Sequence, residues 1–462
     1  MNIIYSVKIK LEQLKRDPSL QNKLLFLLVV SSFLIRFIYV FYFTDYKNYL
    51  FSDMSGYWSR ANQRYDGDIF GMWQWTAWAT FFHFYLAFVF KVLSIFKLLN
   101  YKLETVLLLD IIYSTLSVLC LYLISGQILK NVYFSFVLTA FYAFCYPIVY
   151  FNAFVLSENL AIPCLMLSVY LLFTHDEKKN KLMLLASGLF LGAAVACRPA
   201  MGLMLISFVS YILIVWKANN LLITKILIFL SGFFLVISLV IIENNYISKG
   251  ELKSLAGNGG VNFFINNCRV AKLKSVYKGL HVHLANGDFV NDPKFKPFDT
   301  EHPIHEQNYF YKKGFLCLKH NSPKSLIENL TNLKLMFLGG LFPTMYSAKW
   351  FKLFAGISNY LILFMFLSLG LSFFIKDKYL KNDKDLVYRN FLFMLSLIFF
   401  VLLTACFYIP EHRYFFTVIF AVYSTFFVIL FKLNSCKKEV LKYCRSLFFI
   451  YLIYELSKRL YS

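Results

Sequence analysis

The chain has 462 residues, 59% of them hydrophobic and 20% aromatic, with a mean hydropathy of +0.59. A soluble domain averages roughly 45–50% apolar residues, so this composition excludes a water-soluble globular protein and points to an integral membrane protein. The net charge of +22 would suit nucleic acid in a soluble protein. Here it suits cytoplasmic loops and anionic lipid, so the bilayer is the expected partner and nucleic acid is not.

Crossing a bilayer takes about 20 apolar residues, and lysine and arginine bias short loops to the cytoplasm. Residues 1–23, with Lys8, Lys10, Lys15, Arg16 and Lys23, therefore read as a cytoplasmic N-terminus. No small-residue cleavage site follows the apolar run 24–43, which reads as an uncleaved first span leading out. Spans over 105–128, 132–151 and 160–174 then alternate back to HDEKKNK (His175–Lys181), a cytoplasmic loop. Runs 182–197 and 201–216 form an out-and-back hairpin, and 222–242 leads out again. The N-terminal membrane module thus covers 24–242, with a first outer loop at 44–104.

An extracytoplasmic loop and juxtamembrane helix occupy 243–352, and spans 353–375, 391–408 and 414–431 fill the C-terminal unit 353–432. Residues 433–462 form a basic tail in the cytoplasm or the interface. Two apolar stretches fit this count only if they do not cross. Ala79–Phe96 carries Lys91, and Leu333–Tyr346 is interrupted by Gly339, Gly340 and Pro343. Both read as juxtamembrane helices on the outer face. If Ala79–Phe96 spans instead, every helix up to the hairpin inverts.

The polar outliers gather on one face of this arrangement. AVACRPAMG places Arg198–Pro199 at the outer turn of the hairpin, where proline cannot continue the helix and a guanidinium avoids the bilayer centre. FSDMSGYWSRA sets Asp53, Tyr57 and Arg60 just past the first span. FVLSENLAIP puts Glu158 and Asn159 between the third and fourth, and IPEHRYFF puts Glu411, His412 and Arg413 at the last outer turn. An isolated glutamate in a turn is more often a helix cap than a catalyst. Their convergence suggests a site for a charged group on a lipid: a carboxylate takes a proton from a hydroxyl while arginines hold a departing phosphate.

Other features carry less. The nine cysteines include no CxxC; Cys268 and Cys317 share the long polar loop and would be placed to pair in an oxidising compartment. HVH (His281–His283) and HPIH (His302–His305) have zinc-ligand chemistry, but solvated loop histidines are the default, so no metal ligand is assigned. GNGGVN lacks the lysine and following helix of a phosphate-binding loop. It reads as a turn-rich active-site loop, with Asn258 and Asn262 as ligands to sugar or phosphate.

In their order these features resemble the membrane-embedded, lipid-linked sugar transferases of the GT-C superfamily, nearest the bacterial branch related to protein O-mannosyltransferases and aminoarabinose transferases. The resemblance rests on Asp53 with Tyr57 and Ala61, the aromatic stretch WATFFHFYLAFVF, LSENL, the G-x3-A-x2-CRP pattern at Gly192–Pro199, GNGGVNFFINN, NSPKSLIENLTNLKLMF and EHRYF. It implies an all-α polytopic membrane protein, a bundle of about 10–12 transmembrane helices with juxtamembrane helices and an extracytoplasmic loop. It also implies a polyprenyl-phosphate-linked sugar donor, an extracytoplasmic acceptor (lipid, glycan or protein), and inverting transfer at the outer side of the bacterial inner membrane. Residue by residue, Asp53 is then the general base, Tyr57 stands beside it in the substrate-binding set, Glu158 lines the sugar pocket, and Arg198 and Arg413 face the donor phosphate. Many relatives carry a second acidic residue directly after the aspartate, where this chain has Met54. No metal site is therefore carried over, and a divalent-metal cofactor stays open. Asp66 and Asp68 in RYDGDIFG are the alternative carboxylates, but DGD also makes a common turn.

Two rival classes remain from sequence. A transporter or flippase of lipid-linked sugars should show internally repeated halves, and none is visible. A polysaccharide ligase or polymerase shares the outer loop and the arginines but needs no aspartate after the first span.

Overall fold

The structure, a computed structural model, describes residues 17–51, 53–69, 79–216, 221–268 and 306–320. Among the described residues every regular element is helical. Four helices are long and apolar enough to cross a membrane: Pro18–Phe43, Leu99–Leu129, Glu158–Lys178 and Leu222–Ile247. The protein is an all-α polytopic membrane protein. The expected spans 353–375, 391–408 and 414–431, the stretch Leu333–Tyr346, the HVH and HPIH pairs, and Arg413 lie outside the described residues.

Helix α1 (Pro18–Ile38) opens with Asp17, whose carboxylate accepts from the Ser19 and Leu20 amides at 2.9 and 3.2 Å, and with Pro18, which has no amide to satisfy. A π-helical turn, Tyr39–Phe43, carries it on. There follow α2 (Asp53–Tyr65), α3 (Thr80–Ile95), α4 (Lys102–Leu129), α5 (Val132–Ala143), the short α6 (Tyr146–Phe151) and α7 (Glu158–Lys178). A hairpin of α8 (Lys181–Cys197) and α9 (Met204–Val215), α10 (Leu222–Ile247), α11 (Gly259–Cys268) and α12 (Gln307–His320) complete the set.

The run expected as one span over 132–151 is broken into α5 and α6. Pro147 has no N–H to give the Ala143 carbonyl one turn back, so the helix cannot continue through it. Arg36 supplies the missing donor: its Nη1 gives hydrogen bonds to the Ala143 carbonyl at 2.8 Å and to Ser32 Oγ at 2.5 Å, while Nε donates to Ser114 Oγ at 2.9 Å. A fully buried arginine inside the first span is thus held at the carbonyl end of α5, where the helix dipole favours a cation.

Small residues let α8 lie close to its neighbours. A Cβ on Gly188 would collide with the Phe229 carbonyl of α10, one on Gly192 would come within 2.7 Å of the Phe233 carbonyl, and one on Gly232 would collide with the Leu185 carbonyl of α8. Ser168 and Ser187 exchange hydrogen bonds with each other's backbone carbonyls at 2.7 and 2.8 Å, joining α7 to α8. Close backbone approach and interhelical hydroxyls are the forces available where lipid competes for apolar surface.

At one end of this bundle lies α2, a polar helix among apolar ones in the described residues of the N-terminal half. Asp66-Gly67-Asp68 ends it: the Gly67 amide bonds the Arg64 carbonyl, the Asp68 amide bonds the Gln63 carbonyl at 3.0 Å, and Gly67 takes φ +89°. That is a Schellman cap, with glycine where a left-handed backbone is required, so DGD is a turn here. Helix α3 runs along α2, through Tyr57 on Phe82 and Trp58 on Phe90, with ring centroids 4.9 Å apart in both pairs. It is tied to that same end at both of its own: Thr80 donates to Asn244 Oδ1 near the close of α10, and Lys102 at the start of α4 sits over Phe90. The opposite end is closed by Asp176, which accepts from Tyr211 Oη and Trp216 Nε1.

Candidate active site

The polar end of the bundle is built from three chain breaks. Helix α8 stops at Cys197, because Arg198 is extended (φ −142°, ψ 90°) and Pro199 starts a 3-10 turn. Helix α7 begins at Glu158, and α2 at Asp53. Each break leaves a polar side chain at the same end.

There Arg198 Nη2 meets Glu158 Oε1 at 2.7 Å. The glutamate side chain is 2% exposed and the arginine side chain 13%, so the carboxylate is enclosed and the arginine is the more exposed partner. Ser157 Oγ donates to the second glutamate oxygen at 3.3 Å, and Tyr57 Oη donates to Ser157 Oγ at 3.4 Å. Asp53 and Tyr57 are four residues apart on α2 and so share a face. Burial pushes the Tyr57 phenol up to about 12, with Arg198 opposing the shift and Asp53 and Glu158 adding to it. The phenol is therefore neutral at physiological pH, and Asp53, Glu158 and Arg198, separated by up to 145 residues in the chain, all lie near enough to Tyr57 to act on it.

The same face of α2 continues to Arg60 and Arg64. Burial lowers Arg60 to about 9, Tyr57 opposing and Arg64 adding. Arg64 pairs with Glu243 of α10, a residue placed just beyond the span expected at 222–242. No polar contact joins Asn258 or Asn262 to this group among the described residues. The Asn262 amide bonds the Asn258 carbonyl at 3.0 Å in the first turn of α11. The polar contacts fixing this turn run through Gln307 to Ser254 Oγ and the Ala256 carbonyl at 2.7 and 2.9 Å, and from Asn244 to the Ser254 carbonyl at 2.7 Å.

Sequence reasoning passed over Ser157, Arg36 and Asp110. The last two are ionisable residues inside apolar runs, which is itself a signal; Ser157, a common residue in a common turn, offers none. Among the described residues no group of three His, Cys, Asp or Glu side chains converges as a metal site. Cys317 is buried and disulfide-bonded, whereas Cys120, Cys145, Cys164 and Cys197 are free thiols.

Residues 74–243 match the dolichyl-phosphate-mannose-protein mannosyltransferase family. Over that segment the chain is similar to a GT-C-type membrane glycosyltransferase family. A comparison with curated proteins finds no match. The matched segment holds Glu158 and Arg198, while Asp53 and Tyr57 precede it. What joins the two pairs is the packing of α2 against the matched segment, through Tyr57 on Phe82 and Ser157.

Proposed function

We propose that the protein transfers a sugar from a polyprenyl-phosphate donor to a hydroxyl on an extracytoplasmic acceptor, with inversion at the anomeric carbon. The observation that carries the reading is the Asp53–Tyr57–Glu158–Arg198 unit at one end of a GT-C module. A polyprenyl tail stays in the bilayer, so the chemistry belongs at the end of the bundle, beside the interface.

In the reaction Asp53 accepts the proton of the acceptor hydroxyl. The acceptor oxygen attacks the anomeric carbon, and the bond from that carbon to the phosphate oxygen breaks. The lipid phosphate departs with the electron pair. Arg198 binds that phosphate and stabilises the charge that develops on it, a stabilisation worth most in a water-poor site. Glu158 orients the guanidinium from behind and lines the sugar pocket, and the neutral Tyr57 holds Ser157 in line. Arg413, Asn258 and Asn262 complete the proposed substrate-binding set. The site lies on the extracytoplasmic side of a bacterial inner membrane.

The test is transfer from a radiolabelled polyprenyl-phosphate sugar in membranes, beside donor binding to purified protein. Asp53→Asn should bind donor normally and lose roughly 10²–10⁴-fold in transfer. Arg198→Ala should lose donor binding as well, since its phosphate contact exists before and during reaction. Near-wild-type transfer by a folded Asp53→Asn variant would remove the base assignment.

A further inference from the structure

Asp110 is fully buried in α4, eight residues into a helix long enough to span the membrane. Nothing in the proposed chemistry uses it. An acidic side chain there needs a reason, and its one hydrogen bond supplies it: Oδ2 accepts from Asn159 Nδ2 at 3.2 Å. The same Asn159 amide also donates to the carbonyls of Phe151 at 3.2 Å and Phe154 at 2.9 Å. Asn159 follows Glu158 directly.

The segment these bonds hold is unusual. Residues 152–157 join α6 to α7 without regular structure, and every one of them is buried. A buried irregular backbone leaves polar groups that water cannot reach, so each needs an internal partner. The Phe154 amide bonds Phe151, the Leu156 amide bonds Phe154, and the Asn159 amide bonds Leu156, at 3.2, 2.9 and 3.1 Å. The Asn159 side chain closes this set from inside. Behind it a cavity of about 20 Å³, room for one water, is lined by Ser114, Asn152, Glu158 and Asn159 among others. Glu158 is thus delivered by a strap whose fold depends on the orientation of one amide, and Asp110 sets that orientation.

We infer that Asp110 is a positioning residue for the Glu158–Arg198 pair, acting as a hydrogen-bond acceptor through Asn159 and the 152–157 strap. The inference rests on the proposed function for its kinetic consequence, but not for its structural one. If acceptance is what matters, Asp110→Asn keeps the function, because its amide oxygen can take the same bond, while Asp110→Leu removes it.

The experiment measures hydrogen–deuterium exchange of peptides covering 150–160 in full-length protein in lipid nanodiscs, together with donor KM and kcat for transfer. Asp110→Leu should speed exchange in this segment roughly tenfold and raise donor KM by a similar factor. Asp110→Asn should stay within about threefold of wild type on both. Should the leucine variant fail to accumulate, Asp110→Ala takes its place in both arms. Unchanged exchange in the leucine or alanine variant overturns the inference, as does an asparagine variant as impaired as leucine. Should wild-type protein transfer no sugar, the proposed function fails while the exchange arm still decides the role of Asp110.

Discussion

Arg198 ends one helix and Glu158 begins another, and their side chains meet at 2.7 Å with the glutamate almost wholly enclosed. An enclosed pair of this kind is costly to break from one side, because the surviving charge is left without its partner. Glu158→Gln should therefore destabilise the protein by on the order of 3 kcal/mol, and Arg198→Met somewhat less, since the arginine is the more exposed partner. The double variant should lose less than the sum. Thermal melts of the four proteins in one detergent give the coupling directly, and strict additivity would show the pair to be incidental.

The Arg36–Pro147 arrangement gives a second cycle. Arg36→Leu leaves the Ala143 carbonyl without its donor, a buried loss worth about 1–3 kcal/mol. Pro147→Ala restores a backbone N–H one turn downstream of that carbonyl. The double variant should be more stable than Arg36→Leu alone, by melting temperature, if the arginine substitutes for the proline's missing amide.

Glycines separate by what faces them. Gly192→Val should prevent α8 and α10 from approaching, because the new Cβ would meet the Phe233 carbonyl at 2.7 Å. Gly126 in α4 faces open space, with nothing within 4 Å of a Cβ, so Gly126→Ala should be tolerated and gain up to about 1 kcal/mol of helix propensity. Yield of monodisperse protein and its melting temperature check both. A Gly192→Val variant with wild-type behaviour would contradict the close approach.

The proposed orientation puts the 243–330 segment and the Arg198–Pro199 turn outside, and 175–181 and 376–389 inside. In a cysteine-free background, a single cysteine at position 300 should label from outside intact cells and one at 178 should not. The reverse pattern would move the site to the cytoplasm.

An extracytoplasmic segment is also where a disulfide persists. Cys317 is disulfide-bonded and falls outside in the proposed orientation, and Cys268 is the expected partner. Peptide mass mapping with thiol blocking, before and after reduction, should show Cys268 and Cys317 joined. A mapped pair without Cys268 would overturn that pairing.

The amino-acid sequence by itself determined the class of protein and, among the described residues, the four helices long enough to cross a membrane. Apolar runs of spanning length are a local property, and lipid accepts little else than helix, since every backbone polar group must be satisfied within the segment. It also brought Asp53, Tyr57, Glu158 and Arg198 to one end, because each stands at a break between apolar runs. Tertiary structure alone decided how they meet. The Glu158–Arg198 contact and the Tyr57–Ser157 hydrogen bond both join side chains from different parts of the chain. Arg36 answering Pro147, and Asp110 answering Asn159, have the same cause. In a bilayer the partner of a buried polar atom is supplied by whichever helix packs beside it, and no spacing along the chain encodes which helix that is.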